Sequence, residues 1–312
     1  MNILVTGGCG YVGTKLTEAI LARTDHDVTV LDAQWFGNYL PSSPRLKVWV
    51  QDIRRAAEVE LSPYDTVFHL ANIANDPSVE LNPYSSWEVN VLATMRLAYR
   101  AARQGVKQFI FASSASVYGV KSEPRVTEDL DLTPLSEYNK TKMVAERVIM
   151  SYSGPMITTI IRPATVCGYS PRMRLDLVVN LLTMQALSKG VMTVLGGDQV
   201  RPNIHIDDLV DLYFFAHERR LQGVYNAGFE NLTVREITKQ IAEQVPAEIT
   251  TMPSNDPRSY SVCSDRLLGT GFAPKKDVAT AIREMVDAYR AGRLKDDPKW
   301  YNVTWMKVQG VG

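Results

Sequence analysis

A tyrosine and a lysine four positions apart have the spacing that most directly suggests chemistry. Tyr138 and Lys142 follow Pro134 and Ser136, which predict the start of a helix. Residues four apart lie on the same helical face, roughly 5–6 Å from each other. A phenol and an ammonium group can therefore meet over one substrate. The same spacing also occurs in ordinary amphipathic surface helices.

A serine-rich turn is the second candidate. The run 107–113 predicts a strand, and its carboxyl end carries Ser113, Ser114 and Ser116. In an open parallel sheet, ligands bind at the carboxyl ends of the strands, so this turn lies where chemistry would occur. Ser114 is the candidate for holding a reacting oxygen, and Ser116 for a further substrate contact. A serine that only satisfies the turn's backbone is the structural alternative.

A glycine-rich turn, 6–13, lies between an apolar run at 3–5 and apolar positions with helical spacing. Such a strand, turn and helix start can hold a pyrophosphate, because glycines allow close approach and the free N–H groups of the helix N-terminus face the phosphates. The predicted contacts in this turn are Gly7, Gly10, Tyr11, Val12 and Gly13.

Asp32 ends the next apolar run, 28–31, at the distance from the turn where a dinucleotide-binding unit has a carboxylate for the adenosine ribose hydroxyls. No arginine or lysine follows closely to neutralise a 2′-phosphate, which predicts NAD rather than NADP. Further cofactor contacts are expected where the next two strands end, at Asp52, Ile53, Leu70 and Ala71. Asp52 could reach the adenine edge, or it could cap the segment that follows it. His69 is interpreted as a packed histidine at a strand end rather than a base.

These residues need a scaffold of alternating strands and helices. Further strands are predicted at 46–50, 66–70 and 156–161, and helices at 84–104, 207–218, 233–244 and 277–290. The alternation predicts an α/β fold, a Rossmann doubly wound parallel sheet. Residues 300–312 give no clear signal.

Composition excludes several classes of protein. The 312 residues contain 34 Lys and Arg and 34 Asp and Glu, so nothing favours nucleic acid or an anionic membrane as a partner. The chain lacks a signal peptide pattern and an apolar run long enough to span a bilayer. Three separated cysteines without a Cys/His cluster suggest a reduced, cytoplasmic protein and no metal site.

Taken together, the glycine turn, Asp32, the Ser114 turn and the Tyr138 to Lys142 stretch resemble the extended short-chain dehydrogenase/reductase family. These are the NAD-dependent epimerases and dehydratases of nucleotide sugars. The resemblance continues through four further segments and covers nearly the whole chain: 90–94, 162–166, 201–208 and 258–260.

The resemblance implies hydride abstraction from a sugar carbon, usually C4, with NAD held tightly. Tyr138 would take the hydroxyl proton, Ser114 would bond the reacting oxygen, and Lys142 would also hold the nicotinamide ribose. A free phenol has a pKa near 10, so a base at neutral pH needs a lowering of ~3 units, about 4 kcal/mol. Lys142 and the positive nicotinamide ring are the expected sources.

The resemblance also implies the remaining contacts and the assembly. Residues 1–163 would bind NAD, 164–312 would form a smaller α/β lobe for the nucleotide sugar, and 203–228 would return to the first lobe. A homodimer is expected through the helices at 84–104 and 138–153. Asn90 would contact the cofactor, and three residues would reach the substrate diphosphate: Asn180, Arg201 and Arg258. Arg172 and Arg174 could serve the phosphates or face an anionic sugar.

Two positions argue against elimination and decarboxylation. The 4,6-dehydratase branch carries Asp and Glu after the catalytic hydroxyl residue, and the decarboxylase branch has Glu at the second position, whereas this chain has Ala115 and Ser116. A nucleotide-sugar C4 epimerase is the first hypothesis. A nucleotide-sugar dehydrogenase or ketoreductase would use the same residues. A dinucleotide-binding sensor or scaffold is the third, but it would have no use for Tyr138 and Lys142.

Overall fold

The computed structural model describes residues 1–254 and 259–311. Its strands alternate with helices through the first half of the chain and are more irregular in the second. In chain order, the strands are β1 (Asn2–Thr6), β2 (Asp27–Asp32), β3 (Leu46–Val50), β4 (Thr66–His69), β5 (Gln108–Ala112), β6 (Ile157–Pro163), β7 (Thr165–Cys167), β8 (Val191–Leu195), β9 (Val200–His205), β10 (Gly223–Ala227), β11 (Glu230–Thr233) and β12 (Glu248–Met252).

The helices lie between these strands and after them. In chain order, the α-helices are α1 (Tyr11–Arg23), α2 (Asp76–Val79), α3 (Pro83–Trp87), α4 (Thr94–Arg103), α5 (Glu137–Met150), α6 (Val178–Lys189), α7 (Ile206–Glu218), α8 (Val234–Gln244), α9 (Asp265–Leu268), α10 (Val278–Arg290) and α11 (Asn302–Gln309).

The main sheet has seven parallel strands in the order β10, β6, β5, β4, β1, β2, β3. The chain winds from β1 outward through β2 and β3 and then restarts at β4 on the other side of β1. The carboxyl ends of β1 and β4 therefore flank the point where the winding direction reverses, which is where this kind of sheet binds its ligand. The predicted α/β fold with a doubly wound parallel sheet is confirmed.

The predicted helix over 84–104 is not one continuous α-helix. The segment consists of α3, a π-helical turn at Glu88–Ala93, and α4. Asn90 lies inside the π turn, where its buried amide accepts a hydrogen bond from the N–H of Ile73 and donates to the Ile73 carbonyl. The apolar spacing predicted the helical character, but it carried no sign of this interruption.

Helix α5 begins directly after Ser136, where the sequence predicts its start. The Ser136 hydroxyl accepts a hydrogen bond from the N–H of Asn139, which satisfies one of the free amides of the first turn. Ala145 and Ile149 are fully buried in the core that α5 shares with β5 and β6. This packing fixes the rotation of the helix and therefore the direction of the side chains at 138 and 142.

The second half of the chain builds smaller sheets. Strands β11, β9 and β7 form one, and β12 pairs with β8 in another. Helices α6, α8 and α10 enclose a separate apolar cluster that includes Val179, Ile237 and Ile282. Helix α7 and strand β10 belong to the main sheet's side, since Leu209 and Tyr213 join its core and β10 pairs with β6.

Helix α11 packs on the first half of the molecule, which the sequence did not indicate. Met306 belongs to the core beneath β4 and β5, and the Trp305 indole N–H donates to the Trp35 carbonyl at 2.9 Å. Across residues 1–254 and 259–311, every helix is too short or too polar to cross a lipid bilayer.

Candidate active site

A cavity of about 480 Å³ lies at the carboxyl edge of the main sheet. The glycine turn and Asp32 line one end, and Ser114, Tyr138 and Lys142 line the other. Segments of the smaller sheets complete its wall. A cavity lined in this way suits a ligand that binds along the edge of the sheet with its two ends in different chemical surroundings.

The glycine turn is packed too closely for side chains. A Cβ on Gly13 would lie 2.1 Å from the Gly7 carbonyl oxygen, and a Cβ on Gly7 would lie 2.5 Å from the backbone nitrogen of Ala71. Gly7 also has a φ of +74°, in the left-handed region. The turn therefore brings the N-terminus of α1 directly to the cavity, with its free N–H groups available to an anion.

We expect Gly13→Ala to destabilise the protein by about 1–3 kcal/mol and to abolish the retention of NAD through purification. The new methyl group would collide with backbone rather than with a side chain that can move. The measurements are urea denaturation and the nucleotide released on heating the purified protein.

The matched control for that prediction is Gly154→Ala, because a Cβ there would meet no described atom within 4 Å. Equal stability and equal NAD content in the two variants would contradict the role given to the turn.

Two backbone amides hold the carboxylate of Asp32 at the end of β2. Its carboxylate accepts hydrogen bonds from the N–H of Cys9 at 2.9 Å and of Gln34 at 2.7 Å. Burial raises the pKa of Asp32, and these two amides and the charge of Arg172 oppose that rise. The other predicted cofactor contacts also line the cavity: Gly10, Tyr11, Val12, Asp52, Ile53, Leu70 and Ala71. These residues fit a dinucleotide along the edge, since they combine free amides, a fixed carboxylate and apolar walls.

Ser114 is both a turn residue and a neighbour of the phenol. Its Oγ accepts a hydrogen bond from the N–H of Ser116 at 3.2 Å and lies 2.8 Å from the Ser116 hydroxyl. The Ser114 hydroxyl also lowers the pKa of the Tyr138 phenol. The structural interpretation of this serine is therefore confirmed, and its functional role stays a prediction. Because the short helical turn after it fixes the side chain, the hydroxyl faces the phenol from a rigid support.

Burial raises the pKa of the Tyr138 phenol to about 12. The positive charge of Arg174 and the hydrogen bond to Ser114 lower it, whereas the charges of Asp76 and Tyr260 raise it. Arg174 also lines the cavity, in the segment between β7 and α6. The sequence suggested Lys142 as the protein's source of phenolate stabilisation, whereas in the structure the positive charge that lowers the pKa of Tyr138 is that of Arg174.

Lys142 is buried, with 3% of its surface exposed. Its ammonium group donates to the Ala112 carbonyl at 2.6 Å and lies 5.9 Å from the centre of the Tyr138 ring. Burial lowers the pKa of Lys142 to about 7, and the charge of Glu146, one helical turn further on, opposes this. The ammonium group thus sits between the end of β5 and the phenol, where it can reach a ligand in the cavity.

A buried polar network supports this side of the site from below. Arg162 donates from Nε and Nη2 to the two oxygens of Glu146 at 2.9 and 2.7 Å, and from Nη1 to the Tyr118 hydroxyl at 2.7 Å. The Ser113 hydroxyl donates to the same carboxylate. The Tyr118 hydroxyl donates to Asn226 at 2.8 Å. This network ties α5 to the carboxyl ends of β5, β6 and β10.

Of the predicted contact residues that the structure describes, Asn90 and Asn180 lie outside the cavity lining. Asn90 is occupied by Ile73 and Thr141, and Asn180 by Gly168, Arg174 and Tyr11. Both amides are hydrogen-bonded to neighbouring protein groups, and through these bonds they hold segments that line the cavity. Arg201 and Ser116 line the cavity, and Arg258 lies outside the described residues.

The structure adds site residues that the sequence left open or missed. Arg174 forms a two-point ion pair with Asp176 at 3.0 and 2.8 Å, and Asn75 donates to that carboxylate at 2.8 Å. Arg172 and Asn302 line the Asp32 end of the cavity. In the sequence, the one indication that Arg172 and Arg174 belong to the site is the charged stretch 172–176, which follows Gly168.

The buried His69 and the group around His205 both have structural explanations. His69 is fully buried between the hydroxyls of Thr6 and Thr94, and burial lowers its pKa to about 3, so it is a neutral packed residue. His205, Asp207 and Glu284 lie close enough to hold a metal ion. The Lys276 ammonium, however, contacts both carboxylates at 2.7 and 2.5 Å, so the group is an ion-pair network.

Known proteins resemble this chain over most of its length. The model of the NAD dependent epimerase/dehydratase family matches residues 3–228. The UDP-glucose 4-epimerase of Lactobacillus helveticus is 26% identical over 89% of this chain and 93% of that protein. UDP-glucuronic acid decarboxylase 1 of Arabidopsis thaliana is 28% identical over 95% of this chain and 72% of that protein.

Similarity at the level of structure is also high. The crystal structure of Thermus thermophilus UDP-glucose 4-epimerase in complex with NAD has a TM-score of 0.83 to this protein at 26% identity, over 93% of this chain and 99% of that chain. With a matched segment that covers well over half of its residues, the chain belongs to the NAD-dependent epimerase/dehydratase family.

Proposed function

We propose that the protein is a nucleotide-diphosphate-sugar epimerase that inverts C4 through a transient 4-keto sugar. The observation that carries this proposal is that Ser114, Tyr138 and Lys142 line one end of the cavity, while the glycine turn and Asp32 line the other. This is the arrangement that the removal and return of one hydroxyl proton requires beside a dinucleotide.

The chain's own residues would handle the proton and orient the sugar. Ser114 would hold the reacting oxygen, and Tyr138 would accept its proton and later return it. Bound NAD would supply the hydride acceptor and, on return, the hydride donor. Lowering the pKa of Tyr138 from about 12 to near 7 requires about 7 kcal/mol of phenolate stabilisation. The value of about 12 already includes the charge of Arg174, so Lys142 and the positive nicotinamide ring are the further charges available.

The residues beside Ser114 favour hydride exchange over elimination. Ala115 and Ser116 line the cavity where a dehydratase needs an acid and a base. The carboxylates of Asp76 and Asp176 also line the cavity, but in other segments. Asp176 is paired with Arg174, and Asp76 accepts a hydrogen bond from the Ser136 hydroxyl. A sugar oxidised in this cavity would therefore keep its substituents and take the hydride back.

The diphosphate would bind on the side of the smaller sheets. Arg201 lines the cavity there, and we propose it as a phosphate contact, with Arg258 as a second. A guanidinium group suits this role because its N–H donors match the geometry of phosphate oxygens. Asn180 would act indirectly, because its hydrogen bond to the Arg174 carbonyl holds a segment that lines the cavity.

The test is to incubate the purified protein with UDP-, GDP-, CDP- and dTDP-sugars without added cofactor, following NADH absorbance and the sugars by NMR. Many turnovers to a stereoisomer without lasting NADH would support the proposal. One equivalent of NADH with a released keto-sugar would contradict it in favour of a dehydrogenase or ketoreductase. Retained NAD without reaction on any nucleotide sugar would favour a binding protein.

We further propose that the protein forms a homodimer through α4 and α5. Their outer faces expose apolar side chains on neighbouring turns, among them Met95 (39%), Tyr99 (51%) and Met150 (37%). Large apolar side chains grouped on two adjacent helices are the usual sign of a protein interface.

Tyr99→Glu is expected to shift the protein from dimer to monomer, because it would place a charge in the apolar centre of that interface. Light scattering after gel filtration measures the mass. Ile249→Glu, at an equally exposed apolar residue on β12, is the control and should leave the mass unchanged. A monomeric unsubstituted protein would contradict the dimer directly.

A further inference from the structure

Arg172 is a fully buried arginine at the Asp32 end of the cavity. It lies in the segment between β7 and α6, far from Asp32 in sequence, yet both side chains line the cavity and the positive charge of Arg172 lowers the pKa of Asp32. Only 2% of its surface is exposed. Burying a charge is costly unless its donors are used, so the position of this side chain requires an account.

The contacts of Arg172 fix its guanidinium group. Its Cζ lies 4.0 Å from the centre of the Phe36 ring, Nη2 donates to the Asn302 side chain at 2.7 Å, and Nη1 donates to the Met173 carbonyl at 3.1 Å. Nε is buried and has no hydrogen-bond partner within residues 1–254 and 259–311. One strong donor therefore remains unused beside a cavity that the same side chain lines.

The charge of this group persists near neutral pH. Burial lowers the pKa of Arg172 to about 9, with a further lowering from Arg174, while Asp176, Asp32 and Tyr39 raise it. Burial raises the pKa of Asp32, and the positive charge of Arg172 lowers it. The two side chains thus help each other to stay ionised at the edge of the cavity.

We infer that Arg172 is a cofactor-binding residue, whose free Nε–H and positive charge contact the adenosine ribose of NAD beside Asp32. Phe36 supports the guanidinium from one face, and Asn302 holds its far edge. The inference rests on the proposed role of Asp32, but not on the identity of the sugar. It assigns part of the cofactor site to the segment between β7 and α6 and to α11.

The choice between NAD and NADP then depends on one charge. The sequence suggested that no cation is available for a 2′-phosphate, but Arg172 brings one from a distant segment. Asp32 would repel that phosphate and accept the ribose hydroxyls instead. Removing the charge of Asp32 should therefore leave Arg172 facing the 2′ position as a ready phosphate ligand.

The experiment measures NAD and NADP affinity by calorimetry on full-length protein stripped of nucleotide. Arg172→Gln should weaken NAD binding on the order of 10- to 100-fold, and Arg172→Lys, which keeps the charge but not the Nε–H, should weaken it less. Asp32→Asn should weaken NAD and strengthen NADP about tenfold, a gain that disappears in the Asp32→Asn/Arg172→Gln double variant. Arg293→Gln is the matched control, since that guanidinium also stacks on a ring, 5.3 Å from the centre of Tyr169.

Unchanged NAD affinity in either folded Arg172 variant would overturn the inference, with circular dichroism and melting curves showing which variants are folded. A gain in NADP affinity that survives loss of Arg172 would also overturn it. If Arg172→Gln weakens NAD while Asp32→Asn leaves both affinities unchanged, Arg172 binds the cofactor and the role proposed for Asp32 is wrong.

Discussion

Tyr138→Phe should lower the turnover of a nucleotide sugar about 10²- to 10⁴-fold and leave NAD affinity within a factor of about two. Phenylalanine fills nearly the same volume in the cavity wall, but it removes the phenol hydroxyl from the end of the cavity that Ser114 also lines. The reacting oxygen would then lose its proton acceptor, while the glycine turn and Asp32 at the other end stay intact. Steady-state kinetics and calorimetry separate the two effects.

The control for this prediction is Tyr225→Phe. That phenol lies on β10, is partly exposed and donates to the Gln222 carbonyl at 3.1 Å, so its loss removes the same group away from the cavity. Wild-type turnover is expected for it. Turnover at the wild-type rate in Tyr138→Phe would refute the proposed base.

Arg162→Met should destabilise the protein by about 3–5 kcal/mol. The substitution leaves the carboxylate of Glu146, which is 1% exposed, without the guanidinium that now donates to both its oxygens. An uncompensated buried charge costs far more than the contacts that methionine could replace. Urea denaturation followed by circular dichroism gives the change in the free energy of unfolding.

The double variant Glu146→Gln/Arg162→Met tests the cause. It removes the stranded charge, so it should recover at least half of the lost stability although it lacks both ionic groups. Arg235→Ala breaks an exposed ion pair with Asp198 and should have no measurable effect. A double variant as unstable as Arg162→Met would show that lost packing, not the buried charge, explains the result.

Local signals in the sequence were enough to predict the fold. The runs at 3–5 and 28–31 became β1 and β2 because each is a short apolar stretch bounded by turn residues. Ser136 and Asp277 cap the helices that they were expected to begin. The residues that form such a signal are close together in the sequence, so the signal can be recognised without knowledge of the tertiary structure.

The walls of the site depend on contacts that no local pattern encodes. Arg172 lines the same cavity as Asp32 although 140 positions of sequence separate them, and α11 packs back on Trp35, so neither arrangement could be predicted from spacing. Asn90 matched the family at its position, but its amide turned inward because the π turn carries it to Ile73. The roles of Tyr138, Lys142 and Ser114 stay predictions, although the structure brings the three side chains to one cavity.

The path of the chain has a further consequence for how the molecule melts. The backbone leaves the main sheet after β6, returns to it through α7 and β10, and leaves again at β11. If either half of the chain unfolded, it would disrupt strands and helices against which the other half packs. The two halves should therefore unfold in a single cooperative transition, and a ligand bound to either wall of the cavity would raise the melting temperature of both.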